Sequence, residues 1–150
     1  MRAWVSCATV LMLLAGITVA LGQAADELKA HADAAHGADQ AKLCLEYAWV
    51  TLKDADSLYT AGDVDKAQAK IQEVVAYAKK GADAATDSGK QLKQTEIKLR
   101  KLAERMHDVG ETLAFEDRQP VRDAVTQIEQ LRSDLMVKMW GPQAEPKGKS

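Results

Sequence analysis

The chain has 150 residues, of which 47% are hydrophobic and 28% are charged, and its formal net charge at pH 7 is −2. This length suffices for one domain with a buried core. The near balance of positive and negative side chains excludes the strongly basic surface with which proteins bind nucleic acids or anionic membranes, so we expect neither as the main partner.

The N-terminal 22 residues are typical of a secretory signal peptide. Arg2 supplies the only charge before Asp26, and Val10–Leu21 is a 12-residue, predominantly apolar stretch of the length expected for the central region of such a signal. Small residues stand one and three positions before Gln23, which predicts cleavage there, with cuts two or three residues further along as close alternatives. We therefore predict a bacterial-type exported protein, periplasmic or secreted, that starts near Gln23.

An uncleaved membrane anchor is the alternative interpretation of the same segment. Trp4–Leu21 is 18 residues long and uncharged, which is close to the lower limit for spanning a bilayer. Its Ser, Thr and Gly content and its single flanking Arg favour cleavage. We expect no stable membrane span in the processed chain.

The first predicted helix begins between Asp26 and Asp39 and ends near Thr60. Its apolar residues recur every three or four positions and therefore share one face. This spacing covers Ala41, Leu45, Ala48, Leu52, Ala55 and Tyr59, and it extends backward through Ala38, Ala34 and His31. Gly62 suits the left-handed conformation at a helix end, and Asp63 is a natural N-cap. Because this link is so short, we expect the next helix to lie antiparallel to the first.

The second predicted helix starts at Val64, and its apolar spacing continues in phase as far as Leu113. One long helix over this whole span is one interpretation. Two glycines interrupt the middle of the span, and Ser88–Gln91 fits the capping box that marks a new helix start, so a break is the alternative. We expect at least a bend near residues 86–89.

The last predicted helix is capped by Asp117, carries Pro120 in its first turn and ends before Gly141. Its buried stripe is predicted from Val121, Ala124, Ile128, Leu131 and Leu135. On the exposed faces of the helices we expect supporting ion pairs, of which Glu96–Arg100 and Asp134–Lys138 are examples.

The predicted fold class is all-α, because no alternating apolar pattern of useful length occurs. Residues 23–140 are predicted to form an antiparallel helical bundle, either of four helices or of three helices with one long bent central helix. Residues 141–150 are predicted to be a disordered C-terminal tail.

Histidines and one methionine are the candidate ligands for a metal ion or haem. His31 and His36 could form a weak metal site with nearby acidic side chains, although a separation of five residues on a helix points them in different directions. Haem would need two inward-facing ligands, for which Met106, His31 and His107 are the candidates. We expect a solvated helix start at the first two histidines and a core-edge position for His107, and we predict no cofactor.

We predict a non-enzymatic protein, because the sequence contains no catalytic constellation and no nucleotide-binding loop. The predicted function is association with itself or with another envelope protein through an apolar helix face around Cys44, Tyr47 and Trp49. Cys44 is the single cysteine after cleavage, so it is either a buried thiol or half of an intermolecular disulfide. A haem- or metal-binding bundle and a small extracytoplasmic chaperone are the alternatives, and a small-molecule ligand is not expected.

Overall fold

A computed structural model describes residues 22–141. The predicted signal peptide lies outside these residues except for Gly22, and the predicted tail lies outside them except for Gly141. Within this range the chain is helical almost throughout and contains no strand, which confirms the predicted all-α class. None of the helices in this range is both long enough and apolar enough to cross a membrane.

Five α-helices and one 3-10 turn follow one another along residues 22–141. α1 covers residues 22–34, α2 Gly37–Thr60, α3 Val64–Ser88, α4 Leu92–Thr112 and α5 Arg118–Trp140, with the 3-10 turn at Phe115–Asp117. α2 to α5 contain 24, 25, 21 and 23 residues. Because these lengths are similar, each helix can bury its apolar stripe along most of its length. The described chain thus has four long helices rather than three, preceded by the short α1.

The first predicted helix is divided in two, because helical geometry stops after Ala34 and resumes at Gly37. Gly37 has a φ of +58°, a left-handed value that glycine adopts without strain. The predicted backward extension of the apolar stripe is wrong for this reason. Ala34 and His31 are exposed, whereas Ala32 is fully buried. The break reorients α1, so that a different face of α1 meets the rest of the molecule.

The bend expected near residues 86–89 is a full break between α3 and α4. Gly89 and Gln91 both adopt left-handed φ values, +64° and +62°, which end α3 and redirect the chain. The predicted capping box is wrong. Ser88 Oγ donates a hydrogen bond to the Ala84 carbonyl oxygen at 2.7 Å, and Gln91 itself occupies the N-cap position of α4.

The predicted apolar stripes form one buried core. Its large aliphatic side chains, each less than 2% exposed, are Leu52, Ile71, Val74, Leu99, Leu102, Met106, Val109, Val121, Ile128 and Leu135. Fully buried alanines fill the stripes of α2 and α3, namely Ala41, Ala48, Ala55, Ala67, Ala78 and Ala85. Tyr59 and Leu131 were predicted in the same stripes and pack only partly buried at the edge. Removal of these apolar side chains from water is the main force that stabilises the fold.

The long helices pair as two antiparallel hairpins. Gly81, near the end of α3, lies against Ala41 and Leu45 at the start of α2. Gly110, near the end of α4, lies against Val121 at the start of α5. Between the hairpins, α3 packs on α5, whereas α2 faces α4 with fewer contacts.

Neither of the two predicted surface ion pairs is formed within residues 22–141. Glu96 instead accepts a hydrogen bond from Arg132 of α5 at 2.6 Å. Asp134 accepts one from Gln130 at 2.9 Å. The long Arg132 side chain therefore ties α4 to α5, which sequence spacing along a single helix cannot reveal.

Candidate functional site

An apolar cavity of about 430 Å³ opens where α1, α2 and α4 meet. Its apolar lining consists of Leu28 of α1, Leu45, Trp49 and Val50 of α2, and Leu102 of α4. Three charged side chains, Glu46, Lys98 and Lys101, complete the lining. This volume lies within the usual range for ligand-binding pockets.

A second cavity of about 300 Å³ continues the first along α2 and α4. It shares Leu45 and Lys98 with the first cavity and adds Ala41, Lys42, Gln91, Gln94 and Thr95. We call the two cavities together the α2–α4 groove. Along α2 the groove runs from Ala41 to Val50, a distance of about 14 Å at a rise of about 1.5 Å per residue.

The side of α4 that borders the groove carries a row of three cations. Lys98, Lys101 and Arg105 follow one another at intervals of three and four residues, so they share one face. Arg105 forms an ion pair with Asp56 of α2 at 2.7 Å, and Lys98 lies 3.8 Å from Glu46. Because charged side chains resist burial, these three cations lie at the solvent-facing border between α4 and α2 rather than in the core.

α1 is held on the α2–α3 hairpin by a cluster around Glu73 of α3. The Glu73 carboxylate accepts hydrogen bonds from Lys29 and Tyr47 at 2.8 Å each and from Lys70 at 2.9 Å. Residues from α1, α2 and α3 thus meet at one carboxylate. Because Leu28 precedes Lys29, the same contacts position the α1 wall of the groove.

A second carboxylate, Asp33 of α1, extends this cluster. It accepts hydrogen bonds from the Tyr77 hydroxyl at 2.9 Å and from Lys80 at 2.7 Å. The rings of Tyr47 and Tyr77 pack edge to face with their centroids 4.5 Å apart, and Lys29 Nζ lies 5.8 Å from both centroids. We call this set of contacts, centred on Glu73 and Asp33, the α1 anchor.

Burial and hydrogen bonding shift the pKa values of Glu73, Asp33 and Tyr77 in the α1 anchor. Burial alone would raise the pKa of Glu73, but the hydrogen bonds from two lysines and Tyr47 outweigh it and lower the pKa to about 2. Burial and the hydrogen bond to Asp33 raise the pKa of Tyr77 to about 12. The hydrogen bond from Lys80 is the largest cause that lowers the pKa of Asp33. These shifts move the pKa values of Glu73, Asp33 and Tyr77 further from neutral pH, while the hydrogen bonds join α1 to α2 and α3.

Cys44 lies beneath α1, fully buried and without a disulfide partner among the described residues. Its thiol points to the carbonyl oxygen of Ala32, with Sγ at 3.8 Å. Burial raises the pKa of this thiol, which disfavours the reactive thiolate. Of the two interpretations of Cys44, the buried thiol agrees with this position, because an intermolecular disulfide requires α1 to move away.

The three residues of the predicted association surface are not brought together on the outside of the molecule. Cys44 is 0% and Tyr47 is 4% exposed, and α1 residues contact both. Trp49 is half-buried and lines the α2–α4 groove instead. The prediction of one exposed surface is therefore corrected for Cys44 and Tyr47, because α1 folds back over them as a separate helix.

The candidate metal and haem ligands also lie apart. His31 is exposed on α1, and His36 is exposed at the N-cap of α2. Within residues 22–141 no group of three or more His, Cys, Asp or Glu side chains is placed to hold a metal ion. Met106 is fully buried in the core, whereas its neighbour His107 is exposed on α4. These two side chains therefore do not face a common cavity.

Sequence reasoning missed both the cationic side of the groove and the α1 anchor. The lysines and the arginine on that side of α4 share one face, so a search for single-sign stripes along each predicted helix finds them. Glu73 carries no comparable signal, because its partners Lys29 and Tyr47 are 44 and 26 residues away in the chain.

No family model, curated protein or solved structure matches this chain. The candidate functional site therefore rests on the geometry of residues 22–141 alone. The α1 anchor is hydrogen-bonded within the molecule, whereas the lining of the α2–α4 groove includes three partly exposed apolar side chains, those of Leu28, Trp49 and Val50. The groove is for this reason the candidate functional site.

Proposed function

We propose that this chain is an exported, non-enzymatic binding protein of the cell envelope that acts by protein–protein association through the α2–α4 groove. After removal of residues 1–22, its two hairpins form one helical bundle. The groove receives an apolar-faced helix of a partner protein. The open apolar cavity of about 430 Å³ between α1, α2 and α4 is the observation that carries this proposal.

The dimensions of the groove favour a helix as its occupant. A length of about 14 Å corresponds to about two and a half helical turns. A helix that presents apolar side chains at positions i, i+3, i+4 and i+7 fills a groove of that length. Leu28 of α1 and Trp49 and Val50 of α2 are the partly exposed apolar side chains of the lining, and such a helix packs against them. Half-buried tryptophans such as Trp49 are also enriched among residues that dominate binding energy.

The two alternatives receive different support. The haem- or metal-binding alternative needs converging ligands, and the histidines and Met106 lie apart. The chaperone-like alternative uses the same apolar groove but requires many clients rather than one partner. The number of partners bound at the groove therefore separates it from the proposed function.

Site-specific photocrosslinking in the producing cells tests the proposal. A crosslinking amino acid replaces Lys101 at the edge of the groove and, as a matched control, Arg122 on the exposed side of α5. We expect an adduct from position 101 that maps to an amphipathic helix of one envelope protein, and none from position 122. Equal adducts from both positions, or no protein adduct from position 101, contradict the proposal.

A pair of valine substitutions sharpens this test. Val50→Glu places a charge in the apolar lining and should abolish the adduct, whereas Val137→Glu on the outer side of α5, where the valine is 47% exposed, should keep it. Circular dichroism verifies that both variants fold.

Cell fractionation and N-terminal sequencing test the export half of the proposal. We expect the chain in the periplasm or the medium, with its first residue at Gln23 or within three residues of it. A chain that retains Met1 and stays in the cytosol contradicts export.

A further inference from the structure

We infer that the helix bound by the α2–α4 groove is acidic, an amphipathic helix of another protein with carboxylates on both sides of its apolar stripe. This inference rests on the proposed function and adds the chemistry of the partner. The charges that border the groove carry it.

Three lysines border the groove against one carboxylate. Lys42 lies on the α2 side and Lys98 and Lys101 lie on the α4 side, whereas Glu46 is the only acidic residue in the lining of the two cavities. Among residues 22–141, only Lys98 of these three has a carboxylate within 4.0 Å, at 3.8 Å from Glu46. Because the whole chain carries a net charge of −2, the groove locally reverses the sign of the molecule.

A border of this kind selects partners by charge. Opposite charges across an interface steer association and suppress partners of the wrong sign. Carboxylates spaced three or four residues apart on a partner helix match Lys98 and Lys101, which are themselves three residues apart. One exposed ion pair contributes little, but three together give a preference of about tenfold.

Other occupants match these charges less well. A second copy docked groove to groove would bring Lys42, Lys98 and Lys101 close to the same three lysines. Residues 1–21 of the chain itself contain no carboxylate, and their only charged side chain is Arg2. A fatty acid offers one carboxylate to three lysines. An acidic helix can offer one carboxylate to each of the three lysines.

Designed peptides test the inference. Three helical peptides share one apolar face and carry Glu, Gln or Lys at the flanking positions. Their binding is followed by Trp49 fluorescence in the full-length chain with Trp4→Phe and Trp140→Phe, which leaves Trp49 as its only tryptophan. We expect the Glu peptide to bind about tenfold more tightly than the Gln peptide at low salt, and the Lys peptide to bind most weakly. High salt should reduce this difference.

Variants that lack two cations test whether the preference for the Glu peptide arises at the lysines of the groove. The double variant Lys98→Gln/Lys101→Gln should reduce the preference for the Glu peptide to about threefold or less, since two of the three cations are gone. The matched double variant Lys93→Gln/Arg100→Gln removes two exposed cations from the same helix outside the groove and should keep the full preference. Unchanged circular dichroism spectra verify that both variants fold.

The outcomes separate this inference from the function on which it rests. If the Glu and Gln peptides bind equally well, the inference is wrong and the proposed function stands. If none of the three peptides binds, the proposed function fails and the inference fails with it. Sodium dodecanoate serves as the fatty-acid probe. If it binds at the groove and none of the peptides does, both the inference and the proposed function are wrong. An equal loss of preference in the two double variants would show attraction by net charge alone and would also overturn the inference.

Discussion

The two sides of α2 are built in opposite ways. On one side α3 approaches so closely that a Cβ atom at Gly81 would lie 3.1 Å from the carbonyl oxygen of Ala41. On the other side α4 makes few contacts with α2, and two ion pairs, Glu46–Lys98 and Asp56–Arg105, cross beside an open apolar groove.

The two sides of α2 therefore contribute unequally to the stability of the fold. Apolar burial stabilises a fold in proportion to the area removed from water, whereas an exposed ion pair contributes about 1 kcal/mol or less. The side of α2 toward α3 therefore carries the fold. On the side toward α4, Trp49 and Val50 stay partly exposed after folding.

Gly81→Leu should have the largest effect, because its side chain would enter the space between α3 and the start of α2. We expect the free energy of unfolding to fall by roughly 3 kcal/mol, as measured by urea denaturation. Ala76→Leu, on the exposed side of α3, is the matched control and should change it by less than about 0.5 kcal/mol. Equal stability of the two variants would disprove the close approach of the helices.

A pair of identical substitutions compares the two sides directly. Val74→Ala removes a fully buried core side chain and should lower the free energy of unfolding by roughly 2 kcal/mol. Val50→Ala removes a half-buried side chain from the groove and should lower it by less than about 1 kcal/mol. If both variants lose the same free energy of unfolding, the groove is packed like the core and the two sides of α2 do not differ.

Glu73→Gln tests the α1 anchor, which joins α1 to the stable side of α2. We expect a loss of about 1 kcal/mol at neutral pH. The pKa of Glu73 is lowered from 4.5 to about 2 in the folded protein, so its contribution is present above about pH 4.5 and is lost as the pH falls toward 2. Unfolding measured between pH 6 and pH 2 should therefore show the stability gap between the original chain and the variant closing at the acid end. A gap that stays constant with pH would show that Glu73 does not titrate as an anchored carboxylate.

Asp56→Asn should have the smallest effect, because it removes only an exposed ion pair with Arg105 on the groove side of α2. We expect the free energy of unfolding to change by no more than about 0.5 kcal/mol. A loss as large as that of Val74→Ala would mean that charges, and not packing, hold α4 beside α2.

Much of the fold could be predicted from the sequence, because helix ends and apolar stripes are local features. Gly62 ends α2 with a φ of +82°, as predicted, and the buried stripe of α3 follows the predicted spacing. The sequence does not decide between one long helix and a break after α3, because the apolar stripe keeps its phase across the link. Glutamine rarely adopts a left-handed φ, so the sequence gives no sign of the conformation of Gln91.

The candidate site could be predicted only in part. Trp49 lines the α2–α4 groove, and its role in association stays a prediction. Leu28 and Lys101 were not expected there, because they reach the groove from helices that are distant in the chain. No spacing rule within one helix connects residues 28, 49 and 101.

The sequence by itself determined an all-helical chain with one apolar stripe on each long helix, because helical propensity and three-four spacing depend only on nearby residues. Only the tertiary structure decided which side chains beside the stripe of α2 are covered and which are open. Tyr47 and Trp49 are aromatic residues two positions apart, yet one is buried under α1 and the other lines the groove. Their difference arises because Tyr47 lies on the side of α2 that α1 and α3 enclose, while Trp49 lies at the open cavity between α1, α2 and α4.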